Sequence, residues 1–143
     1  MIEELERKIK QIQVVIDTLP DIVNQAVRDN AAEVIKMNVG QQLKGQNAKG
    51  SKLGNYKDST KKQRRKKGLQ VSFIDLEDTK NYHSNFAISY LKDRIELASP
   101  DTSYSLFLDN RWKDLFGLTK ENLEVLSKLI DPICNKAINK ILQ

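Results

Sequence analysis

Apolar residues recur every three or four positions along the first part of the chain, which is the spacing of one face of a helix. They are Ile2, Leu5, Ile9, Ile12, Ile16 and Leu19, called here the apolar seam. Charged residues fill most of the positions between them, so residues 1–19 are predicted to form an N-terminal amphipathic helix. The seam is too short to require a coiled coil. We expect it to pack on the body of the protein or on a neighbouring subunit.

Pro20 directly follows this pattern and predicts the end of the first helix. Proline disfavours helical geometry in the residue before it but suits the first turn of a new helix. A second helical pattern runs from Val23 to Val39. Gly40 is predicted to end that helix, since glycine is common immediately after a helix.

Residues 40–68 differ in composition from both helical patterns. Five of the six glycines lie there, mixed with Lys, Asn, Gln and Ser, and apolar residues are few. A segment of this composition buries little apolar surface, so it predicts a long, basic, glycine-rich loop. Loops of this length are usually functional or disordered. Residues 58–67 are candidates for a short basic helix within it.

Alternation of apolar and polar residues predicts a small antiparallel sheet in the second half of the chain. Residues 86–91 and 94–99 flank Lys92 and Asp93, which is the pattern of a two-residue hairpin, and residues 71–74 form a further short candidate strand. The residues expected on the shared face of the hairpin are Phe86, Ile88, Tyr90, Ile95 and Leu97.

The last part of the chain returns to a helical pattern. Residues 101–114 are predicted to form a short helix or turn packed on the sheet. Thr119 is a candidate N-cap for a C-terminal helix, with Pro132 as a kink or junction inside it.

The fold class is therefore α+β: N-terminal helices, a small antiparallel sheet with a hairpin, a C-terminal helix and a long basic loop. A chain of 143 residues is predicted to be a single domain, residues 1–143.

The positive charge of the chain is concentrated in one segment. Residues 44–67 contain ten basic residues and one acid, whereas the remainder has 14 basic and 18 acidic residues. A field of this density attracts a polyanion or faces water. Two interpretations stay open: a solvated loop, or a contact with phosphates that reads no bases, because the stretch lacks aromatic residues. The candidate contact residues are Lys61, Lys62, Arg64, Arg65, Lys66 and Lys67.

Residues typical of catalysis and metal binding are sparse. His83 is the single histidine and has no cysteine near it, so a zinc site of the usual kind is not expected, and Cys134 is predicted to be a core residue. The acidic turn of Asp75, Glu77 and Asp78 is the one candidate for a metal-dependent nuclease, and the alternative is an ordinary turn. We expect no enzyme activity, no cofactor, no metal and no small-molecule substrate. The charged N-terminus is not typical of a secretory signal, and no apolar run is long enough to predict a contact with membrane.

Three short motifs follow one another between residues 53 and 119. The first, L-G-x-Y-x-x-x-T-x-x-x-K-x-x-G, is matched by Leu53, Gly54, Tyr56, Thr60, Arg64 and Gly68, with arginine in place of the lysine and one residue of spacing different. The second, D-L-x-D-T-G-x-F, is matched by Asp75, Leu76, Asp78 and Thr79, with Lys80 in place of the glycine and Tyr82 in place of the phenylalanine. The third is F-G-L-T at residues 116–119.

In the order of these motifs, residues 40–143 resemble small neck and tail-completion (head–tail connector) proteins of tailed bacteriophages. The resemblance implies a non-enzymatic virion protein, made in the cytoplasm of the host bacterium, that forms a homo-oligomeric ring. Its partners would be the portal and the adjoining neck or tail proteins. The basic loop would then contact packaged DNA or acidic protein surfaces, and the seam would pack on a neighbouring subunit. The alternative function is a nucleic-acid-binding accessory protein that binds through the basic loop without sequence preference.

Overall fold

The computed structural model describes residues 1–92, 94–99, 107–108 and 110–143. Helices dominate, and one antiparallel pair of strands forms the sheet of the described residues, which confirms the α+β class with N-terminal helices and a C-terminal helix. In chain order the elements are α1 (Ile2–Asp29), α2 (Ala31–Leu43), α3 (Asp58–Lys66), α4 (Asn81–Ser84), β1 (Ala87–Tyr90), β2 (Ile95–Ala98) and α5 (Lys120–Leu142).

The first helix does not end at Pro20. It continues through this proline to Asp29, so the predicted break was wrong. Proline removes one backbone hydrogen bond, but α1 packs along α5, and tertiary packing of this kind commonly outweighs local propensity. The break falls instead at Asn30, where φ is −113° and ψ is 21°, and the Asn30 side chain donates a hydrogen bond to the carbonyl of Ala26 at 2.9 Å.

The second helix likewise continues past its predicted end at Gly40 and stops only after Leu43. A glycine inside a helix costs about 1 kcal/mol relative to alanine. The extra turn places Gln41 and Gln42 in the interior, where they are 3 % and 0 % exposed and hydrogen-bond to distant backbone. These tertiary contacts stabilise the extra turn of the helix. They involve residues far along the chain, so the local sequence does not predict them.

The hairpin is formed as predicted. In the antiparallel register Ile88 lies opposite Leu97 and Tyr90 opposite Ile95, which confirms the predicted shared face of the two strands. The Leu91 N–H donates to the Arg94 carbonyl at 2.8 Å. Asp93, one of the two predicted turn residues, lies outside the described residues.

The third candidate strand, residues 71–74, was wrong, because these residues have no strand partner in the described part of the chain. The side chain of Gln70 replaces the strand hydrogen bonds here. Its amide nitrogen donates to the Phe73 carbonyl at 2.7 Å, and its amide oxygen accepts from the Ser72 N–H at 2.8 Å. Local bonds of this type compete with strand pairing.

The core lies between the turn after α3, the hairpin and the segment that precedes α5. Its buried members are Leu53, Ile74, Leu76, Tyr82, Phe86, Leu108 and Leu115.

Residues 101–106 and 109 of the predicted short helix lie outside the described residues. Trp112 beyond them donates its backbone N–H to the Leu108 carbonyl at 2.8 Å, a helical turn. The Thr119 hydroxyl accepts from the Asn122 N–H at 3.3 Å, which confirms the predicted N-cap of α5. Pro132 lies inside that helix, which continues through it.

The face of α1 that packs on α5 is not its apolar seam. Gln11, Val15 and Thr18 are half-buried, and the Gln11 amide lies 3.5 Å from the carbonyl of Ile141. All six seam residues are exposed, from 40 % at Leu19 to 74 % at Ile2. The prediction that the seam packs on the body of the same chain was therefore wrong, and packing on a neighbouring subunit stays a prediction.

None of the described helices has the length and apolar character required to span a bilayer.

Candidate functional site

The basic stretch of the sequence forms α3, a helix of 9 residues that contains no apolar side chain. Asp58 lies in its first turn, and Arg64, Arg65 and Lys66 lie in its last turn, where these charges complement the helix dipole. The helix ends at Lys66, and Gly68 follows its C-cap with a φ of +71°, which suits a glycine. The short helix predicted within residues 58–67 is thus confirmed. Of the predicted loop, residues 40–43 belong to α2 and residues 58–66 to α3, and the rest lies outside helices and strands.

Arg64 holds α3 onto the body of the protein. Its side chain is 7 % exposed, and Nη2 lies 2.9 Å from Oδ1 of Asp75. Nε donates to the Gln70 carbonyl at 2.8 Å, and Nη1 donates to the carbonyl of Glu77. The guanidinium also lies over the ring of Tyr56, 4.2 Å from its centre. Arg64 therefore points inward and is not available to a partner.

Asp75 is the buried counterpart of Arg64, and both of its oxygens are occupied. Besides Arg64, Oδ1 accepts from the Tyr56 hydroxyl at 2.8 Å and from the Glu77 N–H at 3.0 Å. Oδ2 accepts from the Gln70 amide at 2.7 Å. Burial raises the pKa of Tyr56 to about 12, so its phenol is a proton donor at neutral pH. We call these five residues the Arg64 network; a buried ion pair is stable only when its remaining polar atoms are satisfied in this way.

The first two sequence motifs meet at this network. Tyr56 and Arg64 come from the first motif and Asp75 from the second, and the backbone of Gly54 accepts from the Ile74 N–H at 2.9 Å. Leu53 and Leu76, one from each motif, are buried in the core. The motif residues therefore join α3 to the turn that follows it, which is a structural role.

The second motif departs from the D-L-x-D-T-G-x-F pattern at a position with special backbone geometry. Lys80, where the pattern has glycine, has φ of +68°, a conformation that glycine adopts at little cost. Tyr82, where the pattern has phenylalanine, is 4 % exposed. Its ring packs against Phe86 at 5.4 Å and Phe116 of the third motif at 6.5 Å between ring centres. All three motifs thus contribute to one core.

The six candidate contact residues divide between the two sides of α3. Arg64 is buried, and Lys67 pairs with Asp78 at 2.5 Å. Lys61 lies 3.7 Å from Asp58, a loose pair with a fully exposed carboxylate. In the described part of the chain no ion pair involves the remaining three. Lys62, Arg65 and Lys66 are exposed and Lys61 is half-buried; these four residues are called the α3 basic face.

The acidic turn is already used by the chain itself. Asp75 is occupied by the Arg64 network, and Asp78 pairs with Lys67. A cation that needs several free carboxylate oxygens would have to displace a buried arginine. Across the residues that the structure describes, no group of three or more His, Cys, Asp or Glu could hold a metal ion.

His83 and Cys134 are both packed against apolar neighbours. The His83 ring stacks on Phe86, 6.1 Å between centres, and burial lowers the pKa of this histidine. Cys134 is buried on α5, and burial raises the pKa of its thiol, which reduces the reactive thiolate.

Sequence reasoning missed a set of buried amides on α2. Asn38 donates to the Gly117 carbonyl at 2.8 Å, and Gln42 donates to the Leu115 carbonyl at 2.9 Å. Gln41 accepts from the Thr119 N–H at 2.9 Å. The three residues are spaced by three and four positions, the spacing of one helix face, and this was the signal that could have revealed them.

Comparison with protein-family models, with curated proteins and with solved structures gave no match for this chain.

Proposed function

We propose that this chain is a non-enzymatic structural subunit that assembles with copies of itself into a ring. The position of that ring is the one implied by the resemblance to neck and tail-completion proteins: between the head and the tail of a phage virion, against the portal and adjoining neck or tail proteins. The observation that carries the proposal is the exposed apolar seam on α1.

The seam has the character of an interface that lacks its partner. Six large aliphatic side chains, spaced along five turns, are each at least 40 % exposed. Soluble monomers rarely expose an aligned apolar surface of this length. The end of the seam opens into a groove of about 470 Å³ beside the hairpin, lined by Ile16, Leu19, Val23 and Ile95 among others.

A second apolar stripe on α5 favours a ring over a symmetric pair. Val125, Leu129 and Ile133 are spaced by one helical turn and are 47 %, 39 % and 38 % exposed. A head-to-tail contact requires two different surfaces on one molecule. Repeated contacts of this kind form a ring when the rotations between successive subunits add up to a full circle. A two-fold dimer needs only one surface.

The proposal is tested by measuring the mass of the assembly. Native mass spectrometry of the purified chain is expected to show a closed oligomer, and the variant Ile9→Gln, Ile12→Gln, Ile16→Gln is expected to be monomeric with unchanged helix content. The control changes three exposed polar residues on another row of α1: Glu3→Gln, Lys10→Gln and Asp17→Asn. A control variant that dissociates equally, or a seam variant that still assembles, would contradict the proposal.

The position in the virion needs a separate measurement. Quantitative mass spectrometry of gradient-purified, nuclease-treated particles is expected to find the chain at a fixed copy number, about six or twelve for a cyclic ring. A chain that is abundant in infected cells and absent from particles would overturn the virion assignment and leave the oligomer result untouched.

A further inference from the structure

The residues of the α3 basic face lie in two rows along the helix. Lys61 and Arg65 form one row along the helix, and Lys62 and Lys66 form the row beside it, because residues four apart are neighbours on a helix surface. One helical turn therefore separates the members of each row, a rise of about 6 Å. The four cationic groups cover one side of a helix of 9 residues.

The α3 basic face is held in place by contacts that residues 64 and 67 make with the body of the protein. α3 has no apolar residue with which to pack, so its orientation depends on the buried Arg64 and on the pair between Lys67 and Asp78. Both of these cations point to the body. Arg64 and Lys67, just beyond the helix end, are thus paired with carboxylates of the body. Of the four residues of the α3 basic face, Lys61 has only its loose pair with Asp58, and no ion pair of the described residues involves the other three.

We propose that the α3 basic face binds the phosphate backbone of a nucleic acid without reading its sequence. Four cations in two rows neutralise neighbouring phosphates, and counterion release drives such binding. Bases are read by amide, guanidinium and aromatic groups that enter a groove or stack. The outer side of α3 carries three lysines, a single arginine and no aromatic residue, so we expect its contacts to be mainly with phosphates.

An acidic protein surface is the competing partner, and the composition of the face argues against it. Protein interfaces have a buried centre rich in aromatic and other apolar residues and poor in lysine. The α3 basic face has no apolar residue at its centre. Binding of a polyphosphate, in contrast, requires only closely spaced positive charges.

The test compares two variants with the same change in net charge. The first is Lys61→Gln, Lys62→Gln, Arg65→Gln, Lys66→Gln. The matched control changes four exposed lysines on the other helices: Lys8→Gln, Lys36→Gln, Lys128→Gln and Lys140→Gln. The probes are a duplex of about 30 base pairs in two unrelated sequences and, for the competing partner, polyglutamate, each measured by fluorescence anisotropy against salt. Circular dichroism checks that both variants fold.

For the wild-type chain we expect equal affinity for both duplexes and a log–log salt slope approaching about −3.6, since each neutralised phosphate contributes about −0.9. Affinity then falls about 100-fold between roughly 50 and 200 mM salt. The α3 variant is expected to lose most of this binding, at least about 10-fold at the lower salt, while the control keeps it. Absence of DNA binding, equal loss in both variants, or equally tight binding of polyglutamate would each overturn the proposal.

This inference is separate from the assembly proposal because the α3 basic face and the apolar seam share no residue. The monomeric seam variant is expected to bind DNA with the salt slope of the wild type, counted per chain. A seam variant that assembles normally leaves the DNA result intact, and an α3 variant that loses DNA binding is expected to assemble normally.

Discussion

Helices α1 and α3 use their side chains in opposite ways. α1 carries a regular apolar seam, and this seam faces solvent although the helix packs on α5 through another side. α3 has no apolar residue at all, and it is docked on the body by a buried arginine. Apolar periodicity therefore identifies a helix, but it does not identify the surface that the helix buries. A charge inside a basic run can be the anchor of the whole segment.

The sharpest test of this difference removes the α3 anchor. Arg64→Gln leaves Asp75 buried without its cation, and breaking a buried pair from one side costs about 3–5 kcal/mol of the free energy of unfolding. Urea unfolding followed by circular dichroism measures this loss. The control is Arg65→Gln, the exposed neighbour, which is expected to change stability by about 0.5 kcal/mol at most. A similar small change for both variants would show that α3 does not depend on Arg64.

The next test contrasts the seam with the core. Leu115 is 0 % exposed, whereas Ile12 of the seam is 53 % exposed. Leu115→Ala is expected to cost about 2–5 kcal/mol, because it leaves a cavity. Ile12→Ala is expected to cost less than about 0.5 kcal/mol of monomer stability, measured at a protein concentration where the chain is monomeric. A large loss for Ile12→Ala in the monomer would mean that the seam already has a partner within the chain.

The Arg64 network also gives α3 a dependence on alkaline pH through Tyr56, whereas α1 contains no tyrosine. Burial raises the pKa of Tyr56 to about 12, above its value in the unfolded chain, so the folded state retains this proton longer. Stability from this group is therefore complete below about pH 10 and is lost as pH rises from about 10 towards 12. Tyr56→Phe is expected to be less stable than wild type by about 1 kcal/mol at pH 9. The difference should shrink by about pH 11.5, and a constant difference would contradict this assignment.

The smallest expected effect concerns the turn that follows the anchor. Lys80 has a left-handed φ of +68° and is exposed, a conformation that costs a non-glycine residue about 1–2 kcal/mol. Lys80→Gly relieves this cost and adds flexibility to the unfolded chain, so a net gain of about 0.5–1 kcal/mol is expected in thermal or urea unfolding. The control is Lys92→Gly, a further exposed lysine outside the helices. A loss of stability in Lys80→Gly would contradict the strain argument.

Local signals predicted the elements that local physics decides. The helical spacing of α1, the register of the hairpin and the Thr119 N-cap each depend on residues near in sequence, and the structure confirms them. Pro20 and Gly40 predict helix boundaries because each weakens a helix on its own. Both helices continue because packing and side-chain bonds from residues far along the chain outweigh these local costs.

The candidate site was predictable in its charge and not in its orientation. The run from Lys61 to Lys67 is plainly basic in the sequence, but nothing local distinguishes Arg64 from Arg65. The distinction comes from Asp75, which lies 11 positions away and meets only one of the two. A buried ion pair between distant residues leaves no periodic signal, so the structure alone divides the basic run into an anchor and a face.

Because α3 is docked through the ion pairs of Arg64 and Lys67 and has no apolar side chain of its own, we expect its outer surface to be uncoupled from the stability of the fold. The four outward positions can change one by one without altering the core, whereas Arg64 and Asp75 must be kept together. Natural selection can therefore tune how strongly the surface attracts its partner by single substitutions, at almost no risk to folding. We expect sequences that diverge from this one to vary in the number of outward charges and to retain the inward pair.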